Sequence, residues 1–117
     1  MAEIAKQSEI RFKISLDKQN IPIDIKWQAT DSKNQELRDC KSIMLSIWDA
    51  VQKDTLRIDL WTNEMTIDEM HSHFFQTILS VADSYHRATK NPFVKDEVKN
   101  FAEQLAKKTA EWENSKG

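Results

Sequence analysis

The only glycine in this 117-residue chain is Gly117, the last residue of the sequence. Phosphate-cradling loops, dinucleotide fingerprints and the strained nucleophile elbow all need glycine where backbone turns sharply or comes close to a ligand, so none of them can be built here. Turns must use asparagine and aspartate, whose short side chains tolerate left-handed backbone. Asp17-Lys18-Gln19-Asn20 and Asp31-Ser32-Lys33-Asn34 are the segments that suit.

Between such turns the hydrophobic period is two. From Glu9 to Leu16, Ile10, Phe12, Ile14 and Leu16 alternate with Arg11, Lys13 and Ser15, the pattern of a half-buried strand. Over 22–29, Ile23, Ile25, Trp27 and Ala29 alternate with Asp24, Lys26 and Gln28, and Pro22 suits a strand's first position. These two strands are expected to pair as a hairpin. Residues 30–39 are polar and aperiodic and predict a surface loop. A third strand is expected over 40–49 and a fourth over 55–62, joined by a turn around Ala50 to Asp54. Aligning the aliphatic sides puts Ile43, Leu45 and Ile47 with Leu56, Ile58 and Leu60, because a slip by one residue would bury Arg57 and Asp59.

After residue 65 the period changes to that of a helix. Thr66 followed three residues later by Glu69 is a capping box, and Asp68 and Glu69 fall in the first turn, where the helix dipole favours anions. A helix over 67–89 has Ile67, Met70, Phe74, Phe75, Ile78, Leu79, Ala82 and Tyr85 on its apolar face. Asn91-Pro92 then supplies an N-cap and a first-turn proline for a second helix over 92–112, with a stripe of Val94, Val98, Phe101, Leu105 and Trp112. The order ββββαα predicts an α+β fold in one domain, 1–117: a four-stranded antiparallel sheet with two C-terminal helices packed on one face.

Composition narrows the class further. Apolar residues make up 39% and charged residues 31%, with a net charge of −2 and both signs interspersed. Such a chain has no single-sign field to draw it onto nucleic acid or anionic lipid. Its longest uninterrupted apolar runs are as short as Ile43-Met44-Leu45, far from the roughly 20 residues that span a bilayer. Glu3 and Lys6 break the segment where a signal peptide would be apolar, so a cytoplasmic location is expected. The single cysteine, Cys40, suits a reducing compartment and a plain buried thiol.

No chemistry-bearing constellation emerges. His71 and His73, two apart on a helix, point about 200° from one another and cannot share a metal ion. His71 falls on the apolar stripe and His73 on the solvent side, while His86 is about four turns on. Capping accounts for Asp68 and Glu69, and the serines have no histidine and carboxylate at a recognisable spacing. No catalytic, metal-binding or cofactor-binding residue is therefore assigned, and the chain is expected not to be an enzyme. What stays unexplained is the outer face of the third and fourth strands, where Met44, Trp48, Arg57, Asp59 and Trp61 fall together. Large aromatics on a solvent-facing sheet surface call for a cover, which the 30–39 loop, the N-terminal arm or a different register would supply within the chain; otherwise these five residues are the candidate partner-binding site, for self-association or for docking.

Four blocks, SEIRFKISLDKQNIP, IDIKWQATD, CKSIMLSIWDAVQKDTLRIDLWTNEM and TIDEMHSHFFQTILSVADSYHRAT, carry a resemblance over about residues 8–106. In their order and character they resemble the GldC family of gliding-motility accessory proteins of Bacteroidetes-type bacteria. The loop at 30–39 departs from the family pattern. The resemblance implies an accessory of the gliding apparatus rather than its motor, with protein partners among that apparatus, GldB, a lipoprotein, first among them. It supplies no catalytic residues. At the level of topology alone the ββββαα order also resembles the export chaperone SecB, which makes a holdase the alternative expectation.

Overall fold

The computed structural model of the chain describes residues 2–30 and 36–116. The turn expected at Asp31 to Asn34 lies outside the described residues. In chain order the elements are β1 (Ile10–Leu16), β2 (Pro22–Ala29), β3 (Arg38–Cys40), β4 (Ser42–Asp49), β5 (Asp54–Trp61), α1 (Ile67–Thr89) and α2 (Pro92–Lys116). They form two compact units, Met1–Thr66 and Ile67–Gly117.

The first unit is antiparallel throughout. β1 pairs with β2, Phe12 opposite Trp27 and Ile14 opposite Ile25, as the alternation predicts. Their turn is made by Asp17, whose carboxylate accepts from the Gln19 N–H at 2.8 Å and the Ile21 N–H at 3.0 Å. Asn20 takes the left-handed conformation at φ 64°. Two further left-handed positions fall on lysines, Lys53 at φ 53° and Lys90 at φ 63°, rather than on asparagine or aspartate. Lys90 occupies the place after α1 where glycine is usual, and its N–H donates to the His86 carbonyl at 2.8 Å.

The expected single four-stranded sheet is not what forms. A three-stranded sheet, β1-β2-β3, and a two-stranded sheet, β4-β5, replace it. The strand expected over 40–49 starts earlier and changes partner at Lys41. Ile25, Lys26 and Trp27 of β2 stand opposite Cys40, Asp39 and Arg38, whereas from Ser42 onward the chain stands opposite β5. At the change itself, the Thr62 N–H donates to the Lys41 carbonyl at 2.9 Å. The segment expected to be a loop therefore contributes a strand. Lys26 explains why its polar residues pair: its ammonium bonds the Asp39 carboxylate across the ladder and lies 3.7 Å from Asp24.

The β4–β5 register is the expected one, with Ile43 opposite Leu60, Leu45 opposite Ile58 and Ile47 opposite Leu56. Burial along that row is uneven. Ile43 is buried, while Ile47, Leu56 and Ile58 are exposed, so the turn end of the hairpin presents apolar side chains on both of its faces.

In the second unit, α1 begins directly after Thr66 with Asp68 and Glu69 in its first turn, and α2 begins at Pro92. The cap of α2 is Asn91, whose side-chain oxygen accepts from the Phe93 N–H at 3.0 Å. The two helices are joined by His71 and Glu113 at 3.0 Å and by Lys95 and Asp83 at 3.1 Å. Their buried residues are Ala82 and Ala102. Phe101 lies off the inner stripe and is exposed, as are Phe74, Leu79 and Tyr85.

Candidate functional site

Because β4 and β5 pair in register, the side chains of one strand parity share a face. Ser42 opposes Trp61, Met44 opposes Asp59, Ser46 opposes Arg57, and Trp48 opposes Thr55. The five residues singled out from the sequence thus stand on one face of one hairpin. Arg57 organises its centre, donating to Ser46 Oγ at 2.6 Å and to Asp59 Oδ1 at 2.9 Å. Both charged side chains are about half exposed, so the pair orders the surface more than it stabilises the fold. Met44 is only partly exposed.

The four tryptophans divide into two kinds. The Arg38 guanidinium covers Trp27, 5.3 Å from the ring centre, and Trp112 lies under the Lys116 ammonium at 3.4 Å and edge-on to His71 at 6.4 Å. Trp112 is 50% exposed in spite of its cation, while Trp48 and Trp61 have no cation over their rings among the described residues and are 66% and 54% exposed. They sit at opposite ends of the ladder, six residues apart along the strands, a span of roughly 20 Å. One hairpin therefore carries two separate indoles with a charged pair between them, not one continuous aromatic patch.

A second feature of the first unit is a hollow of about 500 Å³ lined by Asp24, Lys26, Asp39, Cys40, Thr62 and Glu64, among others. Its chemistry is largely satisfied internally. The Asp39 hydrogen bond, helped by Asp24, raises Lys26 above the usual lysine range. Cys40 is half-buried rather than fully buried, and burial pushes its thiol up, with Asp24 and Asp39 acting in the same direction. A thiol so placed is a poor nucleophile. Thr62, buried behind them, keeps a hydroxyl with no protein partner.

The histidines all belong to the second unit. His71 is half-buried at the edge of its helix pair and bonded to Glu113. His73 does not point into solvent as expected: it is half-buried, and its Nε2 is enclosed without a partner. Among the described residues no group of three or more His, Cys, Asp and Glu side chains could hold a metal ion, and no helix is long and apolar enough to cross a membrane.

Against known families, a family model described as gliding motility-associated protein GldC-like matches residues 22–111. The chain belongs to the GldC-like family. The matched region begins at the first residue of β2 and ends within α2, so it contains the whole β4–β5 hairpin, all of α1 and most of α2. β1, which carried part of the resemblance read from the sequence, lies before it. Comparison with curated proteins and with solved structures finds no match. The GldC-like family name thus reaches every one of the five candidate residues, and assigns a role to none of them.

Proposed function

We propose that this chain is a non-enzymatic, cytoplasmic accessory protein of the gliding motility machinery. It acts by protein–protein interaction through Met44, Trp48, Arg57, Asp59 and Trp61 on the outer face of the β4–β5 hairpin. Membership of the GldC-like family supports the setting. The observation that carries the interaction is that Trp48 and Trp61 stand exposed on one face of one hairpin with Arg57 and Asp59 between them. Half-exposed indoles beside an arginine are the side chains that most often dominate binding at protein interfaces. The partner is a component of the gliding apparatus, with GldB the first to test.

Changing Trp48 and Trp61 together to serine tests this reading. The double variant should keep its far-UV circular dichroism and its urea midpoint while no longer retaining the gliding component that the parent chain captures from gliding cells. Destabilisation beyond about 3 kcal/mol would put the indoles in a core and overturn the reading, since that is the usual cost of truncating a buried aromatic.

A holdase of the SecB kind is the second reading, favoured by the exposed Ile47, Leu56 and Ile58 on the opposite face of the same hairpin. A holdase would suppress aggregation of several unrelated unfolded proteins at near-stoichiometric ratios. A chain that leaves their aggregation unchanged is not one.

A further inference from the structure

We propose that the outer edge of β5 pairs with β5 of a second copy of this chain, antiparallel and two-fold symmetric about Ile58. The ladder partner of β5 is β4, on one side alone. The Thr62 N–H bond to the Lys41 carbonyl sets the parity of that ladder. With alternation along the register, the even-numbered residues of β5 exchange hydrogen bonds with β4, and the N–H and C=O groups of Thr55, Arg57, Asp59 and Trp61 face outward. β5 contains no proline, no lysine and no bulge, and two of its aliphatic residues, Leu56 and Ile58, are exposed.

What selects a second copy as the occupant is the symmetry of the strand about Ile58. Reading outward from it, Arg57 mirrors Asp59 and Leu56 mirrors Leu60. In a two-fold antiparallel pair, Arg57 of each copy therefore stands opposite Asp59 of the other, twice over, and the aliphatic row continues across the axis. The other edges do not offer this. The same operation on β1 about its centre would set Lys13 against itself, β3 is three residues long, and β4 has no opposite-charge pair to hold a register.

The pairing also joins what one copy keeps apart. Trp48 opposes Thr55 within a hairpin, and Thr55 would oppose Trp61 of the second copy. The two indoles then share one cross-strand row, about 10 Å apart at two strand spacings, in place of the roughly 20 Å that separates them along one hairpin. A four-stranded antiparallel sheet with an aromatic row at each end of the shared ladder results. The pairing rests on the hairpin alone and not on a role in gliding, so the two ideas can fail separately.

Charge exchange tests it. By sedimentation equilibrium the parent chain should weigh twice its 13.7 kDa at sub-millimolar concentration. Arg57→Glu or Asp59→Arg alone sets like charges opposite one another at two symmetric places and should weaken association at least about tenfold. Combining both changes restores opposite charges and should restore the dimer, and mixing the two single variants should give a heterodimer. As an independent arm, Ile58→Cys in a Cys40→Ser background should form a disulfide-linked dimer on mild oxidation, and Thr55→Cys should not, because its cross-axis neighbour is Trp61. A monomer throughout the range, a dimer indifferent to the single changes, or failure of the double change to restore association would each overturn the proposal.

Discussion

Asp83 serves two cations at once, Lys95 of the facing helix and Arg87 one turn along its own, each at 3.1 Å. The hydrogen bond and charge of Lys95, followed by the hydrogen bond of Arg87, lower its carboxyl from the ordinary 3.8. A depressed carboxylate contributes stability that is fully present above the unfolded-state value and is lost as pH falls through the folded one. Asp83→Asn should therefore be less stable than the parent at neutral pH, and the difference should close as pH drops below 3.8, read from urea midpoints taken across that range. A difference that persists in strong acid would mean that the asparagine disturbs packing instead. The exposure of the site keeps the effect small. Arg87 stands at the i,i+4 spacing that a helix makes local, but the Lys95 half of the arrangement could not be read along the chain, because that lysine is twelve residues on, in the facing helix. The same holds for His71. Its helical position marked the edge of a core, but the glutamate that bonds it is 42 residues away, and no local pattern signals such a link. His73 is half-buried for a related reason: a helical wheel assigns a direction, while burial depends on what surrounds it.

At the scale of elements, strong periodicity was legible and partner exchange was not. The β4–β5 register followed from two aliphatic rows that would otherwise have buried Arg57 and Asp59. It carried the candidate face with it, since residues of one parity must share a side. β3 had no such row: Arg38 and Asp39 read as loop and Cys40 as the start of the next strand, and only the cross-strand contacts of Lys26 and Trp27 make the three a strand. The start of α2 was legible from Asn91-Pro92, and its end was not, because the residues after Trp112 contain no proline and no glycine before the last position to stop a helix. The start signal can be tested directly. Asn91→Ala removes the acceptor of the Phe93 N–H and should cost about 1 kcal/mol in urea denaturation with the slope unchanged, whereas Asn91→Asp should retain most of it. No loss on going to alanine would mean that the α2 end is satisfied by other groups.

For the molecule as a whole, the balance of burial points toward association. Among the described residues the buried apolar side chains are Ile25, Ile43, Ala82 and Ala102, two isoleucines and two alanines, while much larger side chains such as Trp48, Trp61, Leu56 and Ile58 remain exposed. A chain of this length can bury roughly two thirds of its extended surface, and its largest apolar groups normally lead in doing so. Here they are left exposed, and were a second copy to cover them, mass action would tie stability to concentration. If folding and pairing through β5 are coupled, each tenfold rise in protein concentration adds about 1.4 kcal/mol per dimer. For a unit of that size this raises the thermal midpoint by about 3–6 °C. Arg57→Glu should remove that dependence and Arg57→Glu with Asp59→Arg should bring it back, measured by differential scanning calorimetry at three concentrations. A midpoint of the parent chain that stays fixed over such a series would mean that the chain folds to its full stability alone, and that its exposed aliphatic and indole groups await a different protein.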